Sequence, residues 1–303
     1  MAPVEFLVTG ARGQLGRAVM SAIAGRGLAA TGVGSAEMPL GERGAIEAAV
    51  GTHRPRCVLH LAAATNVDGC ELDPLGAYRS NGLGTAWLAE SCARHGAGLV
   101  YVSTDFVFDG KATTPYPVDA AVAPLSAYGA SKRLGEEAVL GHGRADFWVV
   151  RTSWVFGPGG RNFPRAILDR ARSGQPLRVV TDQVGRPTCT MDLADALLDL
   201  WQRRGKGGIY HAANTGACSW HGFAVAVLAA AGLGHVPVGE QAAAELKRPA
   251  PRPAYSVLDT SRLDLLRGRP LPDFRDAIRR YLDLDAAAAP PPSAGDGLGG
   301  KRY

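Results

Sequence analysis

Short apolar runs rich in β-branched residues alternate with longer stretches of helical periodicity through the first half of the chain. The apolar runs predict strands near residues 4–9, 28–33, 56–61, 98–103 and 146–152. The stretches between them predict helices near residues 14–25, 43–51, 74–95 and 124–140. Such alternation is typical of a parallel sheet with helices on both faces. The pattern therefore predicts an α/β fold built on a doubly wound parallel sheet.

A glycine-rich turn joins the first predicted strand to the first predicted helix. Gly10, Gly13 and Gly16 have the spacing at which a tight turn, a close approach to a pyrophosphate and close helix–strand packing each require glycine. Gln14 and Leu15 begin the helix, whose first N–H groups are expected to face the phosphates. The turn directly follows the first strand, which indicates a dinucleotide site and a Rossmann-type sheet.

The end of the second predicted strand bears on which dinucleotide binds. An acidic residue there commonly selects NAD by binding the ribose 2′-hydroxyl. The sequence reads Gly34-Ser35-Ala36-Glu37, without an acid directly at the strand end. Arg12 in the glycine turn is suited to bind a 2′-phosphate, and Ser35 is a further expected cofactor contact. We expect NADPH, with NADH as the alternative and a solvated Arg12 as the competing interpretation.

Three side chains predict acid–base chemistry. Tyr128 and Lys132, four residues apart, share one face of a predicted helix. An ammonium beside a phenol favours the phenolate and makes the phenol an effective acid–base catalyst. Thr104 follows a buried apolar run, at the strand end where open α/β sheets bind ligands. Together these groups are suited to moving a proton on or off a carbonyl oxygen. By itself, the Tyr–Lys spacing also fits a solvated helix face.

The regular alternation weakens after Arg151. The remaining sequence predicts helices near residues 162–173, 190–203 and 219–231, and strands near 177–181 and 209–212. We interpret residues 1–152 as a dinucleotide-binding domain and residues 153–285 as mainly a smaller C-terminal substrate-binding domain. Two segments, near 175–182 and 209–231, are candidates to return to the first domain. The Pro- and Gly-rich tail, 286–303, is predicted to be disordered.

Composition narrows the class of protein further. The 303 residues carry a formal net charge of +5 without a basic run, so we expect no nucleic-acid partner. The five cysteines have no metal-ligand spacing and are interpreted as reduced thiols, so no metal site is expected. No apolar stretch is long enough to cross a bilayer, and because the chain enters its first predicted strand at once we expect no signal peptide. We therefore expect a cytoplasmic protein without membrane contact.

These motifs resemble the extended short-chain dehydrogenase/reductases, and more narrowly the dTDP-4-dehydrorhamnose reductase family. The segments that carry the resemblance are 61–68 (LAAATNVD), 103–110 (STDFVFDG), 128–132 (YGASK), 151–157 (RTSWVFG), 182–188 (DQVGRPT) and Arg252-Pro253 before Ser256. The resemblance runs from about residue 4 to about residue 283. It implies NADPH-dependent reduction of the C4 ketone of a dTDP-4-keto-6-deoxyhexose.

The resemblance also implies roles at matching positions. Tyr128 would donate a proton to the sugar C4 oxygen, Thr104 would hydrogen-bond the same oxygen, and Lys132 would hold the nicotinamide ribose and tune Tyr128. The expected cofactor-side residues are Ala62, Ala63, Ala64 and Asn81. The expected substrate-side residues are Val67, Asp105, Phe106, Trp154 and, as donor to the nucleotide diphosphate, Arg252. Core packing for Trp154, capping for Asp105 and a surface charge for Arg252 are the competing interpretations.

The chain departs from the family pattern in places that bear on the substrate. Phe106 stands where the family often has tyrosine, so one pocket hydroxyl is missing. Some members bind Mg²⁺ at a dimer interface through glutamates, but Ala18 and Met191 occupy the matching positions here. We therefore expect neither that metal nor that dimer, and either a monomer or a homodimer. Among the histidines, His221 is the best candidate for a substrate contact.

Two other functions stay open on the sequence. One is an epimerase or dehydratase that retains NAD permanently, although Phe106 follows Asp105 where dehydratases place a glutamate. The other is a non-catalytic NADP-binding regulatory subunit of the methionine adenosyltransferase type. The presence of Thr104, Tyr128 and Lys132 favours an active enzyme over the regulatory subunit.

Overall fold

The structure, a computed structural model, describes residues 4–288; the rest of the tail expected to be disordered, 289–303, lies outside the described residues. Its strands are β1 (Phe6–Thr9), β2 (Ala30–Val33), β3 (Cys57–His60), β4 (Gly98–Thr104), β5 (Phe147–Thr152), β6 (Val155–Phe156), β7 (Leu177–Val180), β8 (Val184–Gly185), β9 (Thr188–Cys189), β10 (Gly208–His211), β11 (Cys218–Ser219) and β12 (Val238–Gln241). Its α-helices are α1 (Gln14–Gly25), α2 (Arg43–His53), α3 (Val67–Leu72), α4 (Pro74–Ala77), α5 (Gly84–His95), α6 (Ala127–Gly141), α7 (Phe163–Arg172), α8 (Thr190–Gln202), α9 (Trp220–Ala230), α10 (Ser261–Arg267) and α11 (Phe274–Ala288).

A six-stranded parallel sheet forms the centre of the molecule, in the order β10-β5-β4-β3-β1-β2. The predicted fold class, a Rossmann-type parallel sheet, is therefore confirmed. β1 lies between β2 and β3, so the strand order reverses at β1. At such a switch point the loops leave the sheet in opposite directions and open a crevice at the carboxyl ends of the strands.

Apolar helix faces cover both sides of this sheet. On one side α1 and α8 contribute Val19, Ile23 and Leu197 to a core that includes Phe6. On the other side α2 and α5 contribute Ile46 and Leu88 to a second core. No helix within residues 4–288 is long and apolar enough to cross a bilayer.

The C-terminal half divides between the sheet and a separate core. β10 extends the sheet by pairing with β5. β7 instead pairs with β12, so the segment 175–182 does not return to the sheet. The apolar face of α9 packs with α7 and α11 in a core that contains Phe223 and Ile278. Of the 209–231 segment, β10 is therefore the part that joins the central sheet.

The helix predicted over 74–95 is interrupted. α4 and α5 are joined by a π-helical turn, Tyr78–Leu83, which contains the buried side chain of Asn81. π-Turns within helices frequently occur at functional sites because the extra residue redirects a side chain. Hydrophobic periodicity is too coarse to reveal this insertion.

A buried ion pair fastens α6 to the sheet. Arg151 on β5 donates from Nε and Nη2 to the two carboxylate oxygens of Glu136 on α6, both at 2.8 Å. Both side chains are almost fully buried, at 1% and 0% exposure. The guanidinium also lies 5.0 Å from the ring centre of Phe108. The bidentate geometry fixes both the position and the rotation of the helix.

We expect Glu136→Gln to lower the free energy of unfolding by about 3–5 kcal/mol, because it leaves the Arg151 charge buried without its partner. Urea unfolding of parent and variant measures the difference. The matched control replaces both charges, Glu136→Leu with Arg151→Met, and should recover most of the loss. A Glu136→Gln protein as stable as the parent would contradict the role assigned to the buried ion pair.

Candidate active site

A cleft of about 1150 Å³ opens at the switch point, above the carboxyl ends of β1, β3 and β4. The glycine turn, the loop after β2 and the loop after β3 form one end of it. The start of α6, the end of β4 and the segment after β5 form the other. The residues predicted to bind a cofactor, with the exception of Asn81, and those predicted to carry acid–base chemistry thus meet in one cavity.

The glycine turn has the predicted geometry. Gly10 has a φ of +65°, a conformation that side-chain-bearing residues rarely adopt. A Cβ on Gly16 would lie 2.1 Å from the carbonyl oxygen of Gly10, so only glycine permits this contact between helix and turn. Gly13, Gln14 and Leu15 line the cleft at the start of α1. The first N–H groups of that helix suit a phosphate.

The loop after β2 differs from the sequence expectation. Glu37 folds back so that one carboxylate oxygen accepts a hydrogen bond from the N–H of Gly34 at 2.8 Å, and the other pairs with Arg12. These contacts, that of Gly34 above all, lower the pKa of Glu37. Arg12 and Ser35 both line the cleft. The Glu37 carboxylate thus lies close to the end of β2. It pairs with the Arg12 guanidinium, which was expected to bind a 2′-phosphate.

The floor of the cleft consists of Ala62, Ala63 and Ala64 after β3. Asn81 lies behind this floor. It accepts a hydrogen bond from the N–H of Ala64 at 2.8 Å and donates to the carbonyl of Ala64 and to Ser131 of α6, both at 3.0 Å. Asn81 therefore holds the floor to α6 and does not itself line the cavity.

His60 has a structural role and anchors the other edge of the floor. Thr9 accepts hydrogen bonds from the N–H groups of Leu61 and Ala62, both at 3.1 Å, and contacts His60 Nδ1 at 2.8 Å. His60 Nε2 contacts Thr85 at 3.1 Å. Burial, helped by the charge of Lys132, lowers the pKa of His60 to about 3. The imidazole is therefore neutral, and it links β1 and β3 to α5.

A close approach of α6 to β4 brings Tyr128 to Thr104. Ser126 caps the helix by accepting a hydrogen bond from the N–H of Gly129 at 3.2 Å. A Cβ on Gly129 would lie 2.2 Å from the carbonyl oxygen of Phe106. Because Gly129 has no side chain, the phenol of Tyr128 can hydrogen-bond the hydroxyl of Thr104.

Burial shifts the protonation of the Tyr–Lys pair. It raises the pKa of Tyr128, and the hydrogen bond with Thr104 opposes this only in part. It lowers the pKa of Lys132 to about 7, with the charge of Glu136 opposing. Lys132 Nζ donates to the carbonyl of Val102 at 2.8 Å and lies 4.1 Å from the ring centre of Tyr101. The expected phenolate is therefore not favoured in this structure, because desolvation is the largest effect on both groups.

The predicted substrate-side residues divide into two groups. Val67, Asp105, Phe106 and Trp154 line the cleft. Arg252 does not; it donates to both carboxylate oxygens of Asp68, at 3.0 and 2.9 Å, which ties the C-terminal segment to α3. This ion pair also lowers the pKa of Asp68.

Trp154 lines the cleft in a strained backbone conformation. Its φ of +47° is uncommon for a residue with a side chain. Its ring stacks on that of Trp220, with 3.6 Å between ring centres and 7° between the planes. Trp220 also lines the cleft. The neighbouring His221 instead contacts the carbonyl of Val238 at 3.0 Å. At the start of α9, Trp220 rather than His221 therefore lines the cleft.

A second cavity, of about 810 Å³, shares Trp220 with the main cleft. Its walls come from α7, β7 and the segment after β12, and include Phe163, Val179, Gln183 and Arg248. Arg248 makes no hydrogen bond or ion pair to another residue within 4–288. The proline-rich sequence around Arg248 and Arg252 does not distinguish the arginine that forms an ion pair, Arg252, from the one that faces a cavity, Arg248.

The described part of the chain holds no cluster of His, Cys, Asp or Glu that could bind a metal ion. All five cysteines are free thiols, and Cys218 is the least buried of them.

Comparisons with known proteins agree with this geometry. The sequence model of the family described as RmlD substrate binding domain matches residues 4–286. The spore coat polysaccharide biosynthesis protein SpsK of Bacillus subtilis is 40% identical over 284 residues, covering 94% of this chain and 99% of that protein. The dTDP-4-dehydrorhamnose reductase of Streptomyces griseus is 40% identical over 278 residues, covering 90% of this chain and 91% of that protein.

A solved structure extends the likeness to three dimensions. The dTDP-4-dehydrorhamnose reductase of Bacillus anthracis, crystallised in complex with NADP, has a TM-score of 0.88 at 30% identity, covering 93% of this chain and 100% of that chain. The matched lengths leave little of either protein outside the shared fold. The resemblance drawn from the motifs is therefore confirmed, and the chain belongs to the RmlD substrate-binding-domain family.

Proposed function

We propose that this protein is an NADPH-dependent reductase that converts the C4 ketone of a dTDP-4-keto-6-deoxyhexose to a hydroxyl group. The observation that carries the proposal is the meeting of Thr104, Tyr128 and Lys132 in the same cleft as the glycine turn. The names of the relatives support the substrate class, since the Streptomyces griseus protein is a dTDP-4-dehydrorhamnose reductase.

The cleft fits a dinucleotide. Its floor of three alanines is flat and apolar, and the start of α1 supplies N–H groups for the phosphates. Arg12 and Ser35 stand where an adenosine ribose would lie, which supports NADPH, and Glu37 beside them keeps NADH as the alternative. The NADP complex of the Bacillus anthracis relative also favours NADPH. When bound, the reduced nicotinamide supplies the hydride.

In this mechanism Tyr128 donates the proton. Its raised pKa keeps the phenol protonated at neutral pH, as a general acid requires. Thr104 hydrogen-bonds the phenol and fixes its direction. Lys132, one turn further along α6, places a partly charged amine beside the reacting groups and holds the nicotinamide ribose. Trp154 and Phe106 shield the ketone from water on either side.

The second cavity is suited to the nucleotide part of the substrate. It shares Trp220 as a lining residue with the main cleft, so a sugar beside Trp154 would extend its diphosphate toward Arg248. Phe163 offers an aromatic ring to a base. In this proposal the diphosphate donor is Arg248, because Arg252 already makes a bidentate ion pair with Asp68.

We expect the purified protein to oxidise NADPH when given a dTDP-4-keto-6-deoxy sugar generated in situ. Turnover only with a 3,5-epimerase present would identify an L-sugar substrate, and turnover without it a D-sugar. Tyr128→Phe should lower kcat by about 10²–10⁴-fold, because the proton donor is lost, while cofactor affinity is preserved. A fully active Tyr128→Phe protein would contradict the role of the phenol.

Two observations on the purified protein distinguish the other candidate functions. Tightly retained NAD⁺ after purification would favour an epimerase. A stoichiometric synthetase partner, without reductase activity, would favour a regulatory subunit. We also propose that the protein is cytoplasmic and is either a monomer or a homodimer. Size-exclusion chromatography with light scattering tests the oligomeric state.

The lowered pKa of Lys132 predicts a pH-dependent stability. The side chain ordinarily titrates at 10.5 but at about 7 in the folded protein, so between these values the unfolded chain binds more protons. The stability of the parent should therefore rise with pH from 7 to 10, relative to Lys132→Met, by on the order of 3 kcal/mol. Urea unfolding across this range measures it, with the exposed Lys206→Met as control. Parallel curves for parent and Lys132→Met would contradict the shift.

We expect Arg248→Ala to raise the KM for the dTDP-sugar by about tenfold or more, because a charge-assisted hydrogen bond to the diphosphate is lost. The KM for NADPH should stay unchanged. The control is Arg43→Ala, which removes a solvent-exposed arginine of α2 that pairs with Glu90 of α5 and lines neither cavity. Equal effects of both substitutions on the sugar KM would argue against the assignment.

A further inference from the structure

A chain of hydrogen bonds leads from the phenol of Tyr128 away from the cleft. The phenol hydrogen-bonds Thr104, whose hydroxyl donates to one carboxylate oxygen of Asp105 at 3.1 Å. Asp105 in turn accepts a hydrogen bond from Ser256 of the C-terminal segment. The proposed proton donor is thus connected to a carboxyl group through a single hydroxyl.

The hydrogen bonds that link Thr104 to Tyr128 and Asp105 can run in either of two directions. It accepts a hydrogen bond from the N–H of Phe106 at 3.2 Å, which leaves one proton and one lone pair. With Asp105 ionised, Thr104 donates to the carboxylate and accepts from Tyr128. With Asp105 protonated, the carboxyl donates to Thr104, which then donates to the phenolic oxygen. Only the second direction frees the phenol proton to point at a substrate.

Asp105 is placed to hold a proton near neutral pH. Its side chain is 2% exposed, and its second carboxylate oxygen has no hydrogen-bond partner in the described part of the chain. Burial raises its pKa to about 6, and the hydrogen bonds from Ser256 and Thr104 limit the rise. The groups that face it are Thr104 on β4, Tyr128 on α6 and Ser256, and only the phenol among them titrates. Within residues 4–288 no lysine or arginine forms an ion pair with it.

We propose that Asp105, acting through Thr104, supplies the proton that Tyr128 passes to the substrate oxygen. This inference rests on the proposed reductase function. Reduction of the ketone takes up one hydride, from the reduced cofactor, and one proton. As the phenol O–H breaks and the substrate O–H forms, the hydroxyl proton of Thr104 moves to Tyr128 and the carboxyl proton of Asp105 moves to Thr104. Asp105, left as a carboxylate that lines the cleft, regains its proton from solvent.

The pH dependence of kcat tests the relay. In the parent, kcat should fall as pH rises above about 6, because Asp105 loses the proton to be transferred. Asp105→Asn keeps the shape of the side chain but has no acidic proton. This variant should lower kcat by about tenfold or more and leave the sugar KM nearly unchanged. It should also remove the limb of the pH profile in which kcat falls as pH rises. Ser256→Ala should move the limb to higher pH, because a hydrogen bond that stabilises the carboxylate is lost.

An Asp105→Asn protein with a raised KM and the parent's pH profile would show that Asp105 only binds the sugar, and would overturn the relay. Infrared titration of the protonated carboxyl band, taken as parent minus Asp105→Asn, provides a readout that needs no turnover. A midpoint near 6 that rises in Ser256→Ala supports the relay. A midpoint in the ordinary range of an aspartate overturns it. Absence of NADPH oxidation in the parent would instead contradict the proposed function, and the titration would still decide whether Asp105 holds the proton.

Discussion

The bidentate ion pair between Arg151 and Glu136 is the interaction on which the site depends. It joins the carboxyl end of β5 to the face of α6 that carries Tyr128 and Lys132. Without a fixed α6, neither the contact of Tyr128 with Thr104 nor the link from Ser131 to the cleft floor would be maintained. Such a pair contributes little net stability, because desolvation offsets its attraction, but it strongly specifies one arrangement of the helix.

Desolvation then sets the proton chemistry. It shifts the pKa of His60 and Lys132 downward and that of Tyr128 and Asp105 upward, in each case favouring the neutral form. A site of neutral donors suits the reduction of a ketone, in which an oxygen must gain a proton. The same enclosure that strengthens hydrogen bonds to the reacting oxygen therefore also keeps the proton available.

Motifs contiguous in sequence were sufficient to predict much of this. The glycine turn, the Tyr–Lys spacing and the alternation of strands and helices each act over a few residues, and the structure brings the resulting elements together as expected. The contacts that the sequence did not predict are those whose partners lie far along the chain. The return of Glu37 to Arg12, the ion pair of Arg252 with Asp68 and the stacking of Trp220 on Trp154 join residues 25, 184 and 66 positions apart.

The sequence by itself determined the class of fold, the edge of the sheet at which ligands bind and the residue types available for catalysis. These follow from backbone periodicity and from the few positions that require glycine, both of which are local properties. Only the tertiary structure decided which arginine faces a cavity, which tryptophan completes the wall and whether Tyr128 keeps its proton. Those outcomes depend on burial and on pairing between distant segments, which arise only once the chain has folded.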